Sequence, residues 1–442
     1  MKQSGVEWIG KIPEDWKVYR NKNAFICNKE IVGKNSNSTQ LLSLTTGGIK
    51  CKDINNAEGK LPESFDTYQY VKKNDVVMCL FDLDMSAVFS GISQYDGMIS
   101  PAYKVLSCQD RANPLFVHYW FSYIFDGRKF NHYAKNIRYT LNYDEFATLP
   151  ILLPPKETQQ RIATYLDKKC SKIEETIQKQ QQVIEKLKAY KQSLITEAVT
   201  GKKYHENCHT DSILLTQNPN EDMKTEIPLG ISNPCGNIEF KYCNLGFIAD
   251  FKNGLNYNTS DFGTEVRFLG VGDFQNYLVL NHESMFSNII TDTEIEDDYY
   301  LKNGDIIFVR SNGSKELVGR AIMVDNIDFK VTYSGFCIRL RNKEPKKFNS
   351  KFLLYFFRSD YFRNELQRLS QGSNISNINQ DLLSHIKIPL VDIRFQESVV
   401  DFLNKKCTAI DTAIEQKQNL IEKLTEYKKS LIYECVTGKR EI

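Results

Sequence analysis

The chain has 442 residues, 41% of them hydrophobic and 25% charged, with a formal net charge of +2. That length allows two or three domains, each able to bury its own core. No apolar run approaches the roughly 20 residues needed to cross a bilayer, and Met1-Lys2-Gln3-Ser4-Gly5 lacks the apolar core of a signal peptide. A cytoplasmic protein without a membrane partner is therefore expected. The near-neutral charge neither requires nor excludes nucleic acid, because a basic groove can coexist with acidic faces elsewhere. A DNA-binding chain of this charge would share the phosphate load with other subunits. The eleven cysteines are odd in number, widely spaced and without a Cys-x-x-Cys pair, so neither a zinc ribbon nor a thioredoxin-like site is predicted.

The first globular segment, residues 1–150, reads as α+β. Lys34-Asn35-Ser36-Asn37-Ser38 is a polar loop, and Lys73-Asn74-Asp75-Val76-Val77-Met78 is a turn followed by a β-branched strand. Ser100–Val105 repeats the turn-then-strand pattern, and Pro114–Phe125 is an aromatic helix. Lys135-Asn136-Ile137-Arg138-Tyr139-Thr140 is a second polar loop.

Residues 151–204 form the first long helix, introduced by Leu153-Pro154-Pro155. One heptad position is filled by Leu166, Ile173, Gln180, Leu187 and Leu194, and its companion by Ala163, Cys170, Ile177, Ile184, Lys191 and Ala198. Gly201 is placed to end the helix in a left-handed cap. The linker 205–238 contains His205-Glu206-Asn207-Cys208-His209, the His-Glu-x-x-His spelling of zinc proteases. That chemistry needs both histidines on one face of a stable helix; a polar linker past a helix-ending glycine does not provide one.

Residues 239–387 repeat the first segment in divergent form. Asn303-Gly304-Asp305-Ile306-Ile307-Phe308 and Ser334–Arg339 are again turn then strand, and Lys351–Phe362 is an aromatic helix. Its polar loops are Arg310-Ser311-Asn312-Gly313-Ser314-Lys315 and Gln371–Asn377. Residues 388–442 are a second long helix, in which Gln159 through Lys202 recurs as Gln396 through Lys439 at a constant offset of 237 and with half of the aligned positions identical. Gln180 and Lys191 recur as Lys417 and Lys428, so both seams are interrupted by polar residues at matching heights. With two equal helices and no third copy, each is the other's simplest partner. The expected fold is two pseudo-repeated globular domains separated by two long helices that pair as an antiparallel coiled coil.

Catalytic equipment is not recognisable. There is no Gly-x-x-x-x-Gly-Lys-Ser/Thr phosphate loop and no plausible nucleophile–base set, Asn233-Pro234-Cys235-Gly236 is not an adenine-methyltransferase signature, and Pro13–Lys17 is too compressed for a metal-nuclease cluster. The polar loops carry a different chemistry. Arginine bridges guanine O6 and N7, and asparagine or glutamine does the same for adenine N6 and N7. The candidate DNA-binding residues are Lys34, Asn35, Asn37, Lys135, Asn136, Arg138 and Tyr139 in the first segment. In the second they are Arg310, Ser311, Asn312, Lys315, Ser373, Asn374 and Asn377.

Ser4–Pro13, Leu153-Pro154-Pro155 with Gln159, the helix ending Ile184–Lys202 and its copy through Lys439 resemble the DNA specificity subunit of type I restriction–modification systems. The opening motif around Trp8 has no clear twin before the second segment, and the second helix lacks the double proline. The resemblance implies a non-enzymatic reader whose two target recognition domains each read half of a bipartite, asymmetric site on double-stranded DNA, with the helices as the ruler between them. It also implies two methyltransferase subunits that dock on the helices and methylate adenine, and motor–nuclease subunits that cut. No cofactor is expected in this chain; S-adenosylmethionine, ATP and magnesium would belong to those partners. The alternatives are a coiled-coil scaffold that binds only protein, or a zinc hydrolase using His205 and His209.

Overall fold

A computed structural model of the protein describes residues 1–53, 62–134, 139–201, 241–256, 263–274, 277–292, 294–311, 315–370 and 377–442. The helices among them are α1 (Pro114–Asp126), α2 (Tyr143–Thr148), α3 (Lys156–Thr200), α4 (Ser350–Phe357), α5 (Asp360–Leu369), α6 (Gln380–Ser384) and α7 (Ile393–Val436). The residues divide into two compact units, Met1–Gln181 with Lys417–Ile442 and Gln182–Gln416. Each unit therefore contains part of α3 and part of α7.

The two units share one plan. In unit 1 an antiparallel sheet runs in the order Phe25–Asn28, Lys104–Cys108, Val76–Met78, Ser90–Ile92. In unit 2 the order Ala249–Asn253, Cys337–Asn342, Ile306–Val309, Ala321–Val324 repeats it, and a fifth strand, Val279–Leu280, is added in parallel. The turn before the central strand needs a left-handed residue, supplied by Asn74 at φ 72° and by Gly304 at φ 86°. The aspartate that follows closes the turn: Asp75 Oδ2 accepts from Lys72 N and Asp305 Oδ2 from Lys302 N, both at 2.8 Å.

Asparagine starts the helices of both units, because its side chain satisfies the free N–H groups of the first turn. Asn113 accepts from Leu115 N and Phe116 N at the head of α1, and Asn349 from Lys351 N and Phe352 N at the head of α4. Asn142 makes a reciprocal capping box with Glu145 on α2, and Asn379 caps α6. The expected single helix over Lys351–Phe362 is two helices. Ser359 Oγ accepts from Phe362 N at 3.3 Å, which restarts the chain as α5.

The core of unit 1 gathers Phe25, Phe116, Trp120, Phe121, Phe130 and Phe146, and that of unit 2 Phe308, Phe352, Phe356, Phe357 and Phe362. Each such ring contributes roughly 1.5–3 kcal/mol by leaving water. The heptad residues of the long helices join these cores. Leu166, Cys170 and Ile173 pack with Leu431, Ile432 and Cys435 in unit 1, and Ile195 and Val199 with Val400, Leu403 and Cys407 in unit 2. Burial raises the thiol of Cys170 to about 11 and raises that of Cys407 as well, so both act as small apolar groups.

The pairing is antiparallel. Within unit 1 Glu174 meets Lys428 at 2.5 Å while Gln180 meets Lys417 at 3.2 Å, so the order along one helix reverses along the other. Within unit 2 Lys191 meets Asp411 at 2.6 Å. The polar interruptions of the seams are thus paired. Toward the end of α3 the buried residues shift from Leu194 and Ala198 to Ile195, Thr196, Val199 and Thr200, because this stretch packs into the core of unit 2 beside Leu245 and Ile248.

Gly201 at φ 64° and Gly438 at φ 71° take the left-handed conformation expected after each helix. A Cβ at Gly438 would come within 2.5 Å of Pro13 Cδ, and Lys439 Nζ donates to Ile9 O at 3.3 Å. The Trp8 motif therefore covers the tail of α7. Trp8 Nε1 donates to Tyr133 Oη at 3.1 Å and Tyr123 Oη donates to Trp8 O at 3.0 Å.

Candidate nucleic-acid interface

In each unit a loop leaves the end of the central strand and meets the segment that leads into a capped short helix. In unit 2 the strand Ile306–Val309 delivers Arg310. Its N–H donates to Phe336 O at 2.7 Å and its carbonyl accepts from Ile378 N at 2.9 Å. Ser311 then bridges to Asn377, and Arg310 Nη1 reaches Gly335 O at 3.5 Å. Arg310, Ser311 and Asn377, predicted from separate loops, are brought together. Asn377 is exposed, and Phe336 beside them is 59% exposed. Lys315 opens the short 3-10 turn Lys315–Leu317 on the same connection.

Unit 1 holds the equivalent arrangement. Leu80 O accepts from Leu141 N at 2.8 Å, as Arg310 O accepts from Ile378 N. Asp82 N donates to Thr140 Oγ1 at 3.3 Å and Leu83 N to Tyr139 O at 3.3 Å. Asp82 and Tyr139 both hold left-handed backbone, at φ 48° and 47°. Tyr139 is exposed, and Met85 at the tip of the loop is 85% exposed. At the loop's base burial pushes the Cys79 thiol up, leaving it neutral.

The segment Asp82–Ser86 was not among the residues predicted from sequence. Its signal was its place: it follows Val76–Met78 as Arg310–Lys315 follows Ile306–Val309. Lys34, Asn35 and Asn37 are exposed on the 3-10 turn Gly33–Ser38, whose side-chain bonds run to Tyr70 and Asp66. Asn35 Nδ2 donates to Tyr70 Oη at 3.0 Å, and Ser36 Oγ to Asp66 Oδ1 at 2.7 Å. Lys135, Asn136, Arg138, Asn312, Ser373 and Asn374 lie outside the described residues, as do His205 and His209.

The two surfaces differ in chemistry. Unit 1 presents Asp82, Asp84, Met85 and Tyr139; unit 2 presents Arg310, Ser311, Phe336 and Asn377. Carboxylates accept from cytosine N4, whereas arginine and asparagine suit guanine and adenine. Among the described residues no group of three His, Cys, Asp or Glu could hold a metal ion, and no helix is long and apolar enough to cross a membrane.

The family model for the type I restriction modification DNA specificity domain matches residues 237–425. The StySPI specificity subunit of Salmonella potsdam is 27% identical over 304 residues, which is 66% of this chain and 58% of that protein. The MjaVIII specificity subunit of Methanocaldococcus jannaschii is 26% identical over 308 residues, 66% of this chain and 63% of that protein. The chain is thus similar to type I restriction–modification specificity subunits, and residues 237–425 match their DNA specificity domain. It spans less than two thirds of the length of those curated members. Among solved structures, a chain from a study of complex assembly and conformational transition of the type I system has the same fold, with a TM-score of 0.68 at 14% identity over 96% of this chain and 98% of that one. The HsdS subunit from Thermoanaerobacter tengcongensis gives a TM-score of 0.51 at 16% identity over the full length of both.

Proposed function

We propose that the chain is the non-catalytic sequence reader of a type I restriction–modification complex in the cytoplasm. In this reading each unit recognises one half of a bipartite, asymmetric site on double-stranded DNA. Methyltransferase subunits dock on the long helices and methylate adenine, and motor–nuclease subunits join for restriction. S-adenosylmethionine, ATP and magnesium act in those partners.

The observation that carries this reading is a duplicated scaffold whose corresponding loops are not duplicated. Strand order, turn aspartates, caps and helix anchors recur, while at the end of the central strand Leu80 stands in unit 1 where Arg310 stands in unit 2, and the sequence that follows is acidic in one (Asp82, Asp84) and basic in the other (Lys315). A scaffold that bound the same protein twice would have no use for that divergence, whereas a reader of two unlike half-sites would. Loops on a rigid frame are where such preferences reside.

The test is selection of bound duplexes from a random-sequence DNA library by the purified full-length chain. Enrichment of two separated, dissimilar base blocks supports the reading; equal recovery of all sequences ends it and leaves the protein-binding scaffold. Affinity should also fall steeply with salt as phosphate contacts release counterions.

A further inference from the structure

One device occurs once in each unit and is independent of which bases are read. In unit 1 the Arg128 guanidinium donates from Nη1 to Leu83 O. In unit 2 the Arg363 guanidinium donates from Nη1 to Val318 O. The two residues of each pair are 45 positions apart in both cases. Each arginine comes from the helical layer that covers the sheet: Arg128 follows α1, and Arg363 lies in α5. Each carbonyl lies on the connection between the central strand and its outer neighbour.

The local setting fixes Arg128 before it reaches the loop. Arg128 stands over the Phe125 ring with its Cζ 4.3 Å from the centroid, and its left-handed backbone at φ 48° turns it back toward the sheet. The residue it holds is anchored on both sides, since Leu83 N donates to Tyr139 O and Leu83 itself is buried. In unit 2 Val318 is fully buried. Gly319 follows at φ 82°, where a Cβ would meet Leu366 Cδ1 at 2.6 Å, and Gly319 N returns to Val309 O at 2.9 Å. In both units the strand end fixes the start of the loop and the guanidinium fixes a buried peptide within it or at its return. A charge-assisted bond to a carbonyl is about twice as strong as a neutral one. A buried carbonyl left without a partner is costly.

We propose that Arg128 and Arg363 are positioning residues for sequence readout: each clamps the reading loop of its own unit and so sets the base preference of one half-site. This rests on the reading of the chain as a DNA sequence reader. It assigns the arginines to the loop backbone, not to a DNA phosphate. The two roles differ measurably. Loss of a phosphate contact weakens binding to all sequences alike and lowers the salt slope by about one, whereas loss of a clamp blurs base preference and leaves the salt slope unchanged.

The experiment uses the full-length chain and a random duplex library, with wild type, R128M and R363M compared for enriched bases and for the salt dependence of binding. The expected result is a loss of base preference on the order of tenfold, confined to one half-site for R128M and to the other for R363M, with the salt slope kept. R128K and R363K should recover part of it, since the ammonium can still donate to the carbonyl. If a methionine variant does not fold, the lysine variant carries the comparison, with hydrogen exchange of the 80–86 or 315–319 amides rising in its own unit only. Unchanged base preference, or a uniform loss of affinity with a shallower salt slope, overturns the assignment while leaving the DNA reading in place. A wild-type chain that enriches no sequence overturns the DNA reading and this inference with it.

Discussion

Gln159 and Gln396, 237 residues apart, make the same three hydrogen bonds. Gln159 Oε1 accepts from Asn113 N, and its Nε2 donates to Arg111 O and Pro154 O, all at 2.8 Å. Gln396 Oε1 accepts from Asn349 N at 2.8 Å, and its Nε2 donates to Lys347 O at 2.8 Å and Val391 O at 2.9 Å. Both side chains are buried. Each glutamine ties the first turn of a long helix to the head of the aromatic helix of its unit.

Replacing Gln159 with leucine strands one N–H and two carbonyls without their partner. The expected loss is on the order of 2–4 kcal/mol for the unit concerned, with Gln396→Leu costing about the same in the other. Denaturant unfolding with amide exchange as a second readout checks this. A change below about 0.5 kcal/mol in both variants would show that water or rearranged backbone replaces the glutamine.

His118 predicts a pH effect. Its Nδ1 is buried without a hydrogen-bond partner, and the Tyr119 ring lies 5.3 Å away. Burial pushes the imidazole below its ordinary value of 6.5; Lys428 acts in the same direction, and Glu174 and Asp167 act against it. Between the folded value and 6.5 the unfolded chain binds more protons, so stability rises with pH through that window and falls on acidification below 6.5. His118→Leu, which copies Leu354 at the corresponding place in α4, should flatten the stability slope below pH 6.5. A slope identical to wild type would remove His118 as its source.

The cross-helix ion pairs should contribute little. Glu174 and Asp411 are 55% and 56% exposed, and Lys428 and Lys191 28% and 29%. A double-mutant cycle on Lys428 and Glu174 is expected to give a coupling of about 0.3–1 kcal/mol, shrinking in high salt. A salt-independent coupling above about 2 kcal/mol would mean that the pair is shielded from solvent by a bound partner or an altered seam.

Base-reading substitutions should act on one half-site each. Arg310→Ala or Asn377→Ala is expected to relax preference on the side read by unit 2, at ~1–3 kcal/mol per lost base contact. Asp82→Ala should do the same on the side read by unit 1, and so should Arg138→Ala. Duplex selection with each variant measures it, and preference unchanged on both sides removes that residue from the reading surface.

The duplicated helices were legible in the sequence because a heptad seam is periodic and a half-identical repeat fixes its own alignment. The correspondence of Asn142 with Asn379 also lies in the sequence, since the 237 offset already holds there, whereas their capping of α2 and α6 is seen only in the structure. The break at Ser359 was not, because the aromatic pattern continues across it; the Ser-Asp pair at its start was the missed helix-start signal. Pairing of Ser311 with Asn377 joins residues far apart in sequence through backbone atoms, and no side-chain periodicity encodes it. Asp82 carries no motif of its own; only its place after Val76–Met78, matching the connection after Ile306–Val309, marks it.

The anchors described above address main-chain atoms almost throughout. Gln159, Gln396, Arg128 and Arg363 grip peptide N–H and carbonyl groups, which every residue but proline offers alike. Exposed side chains at the loop tips, such as Met85, therefore need contribute little to the framework. Point substitution at a loop tip, or exchange of a whole loop, should then carry little penalty to folding.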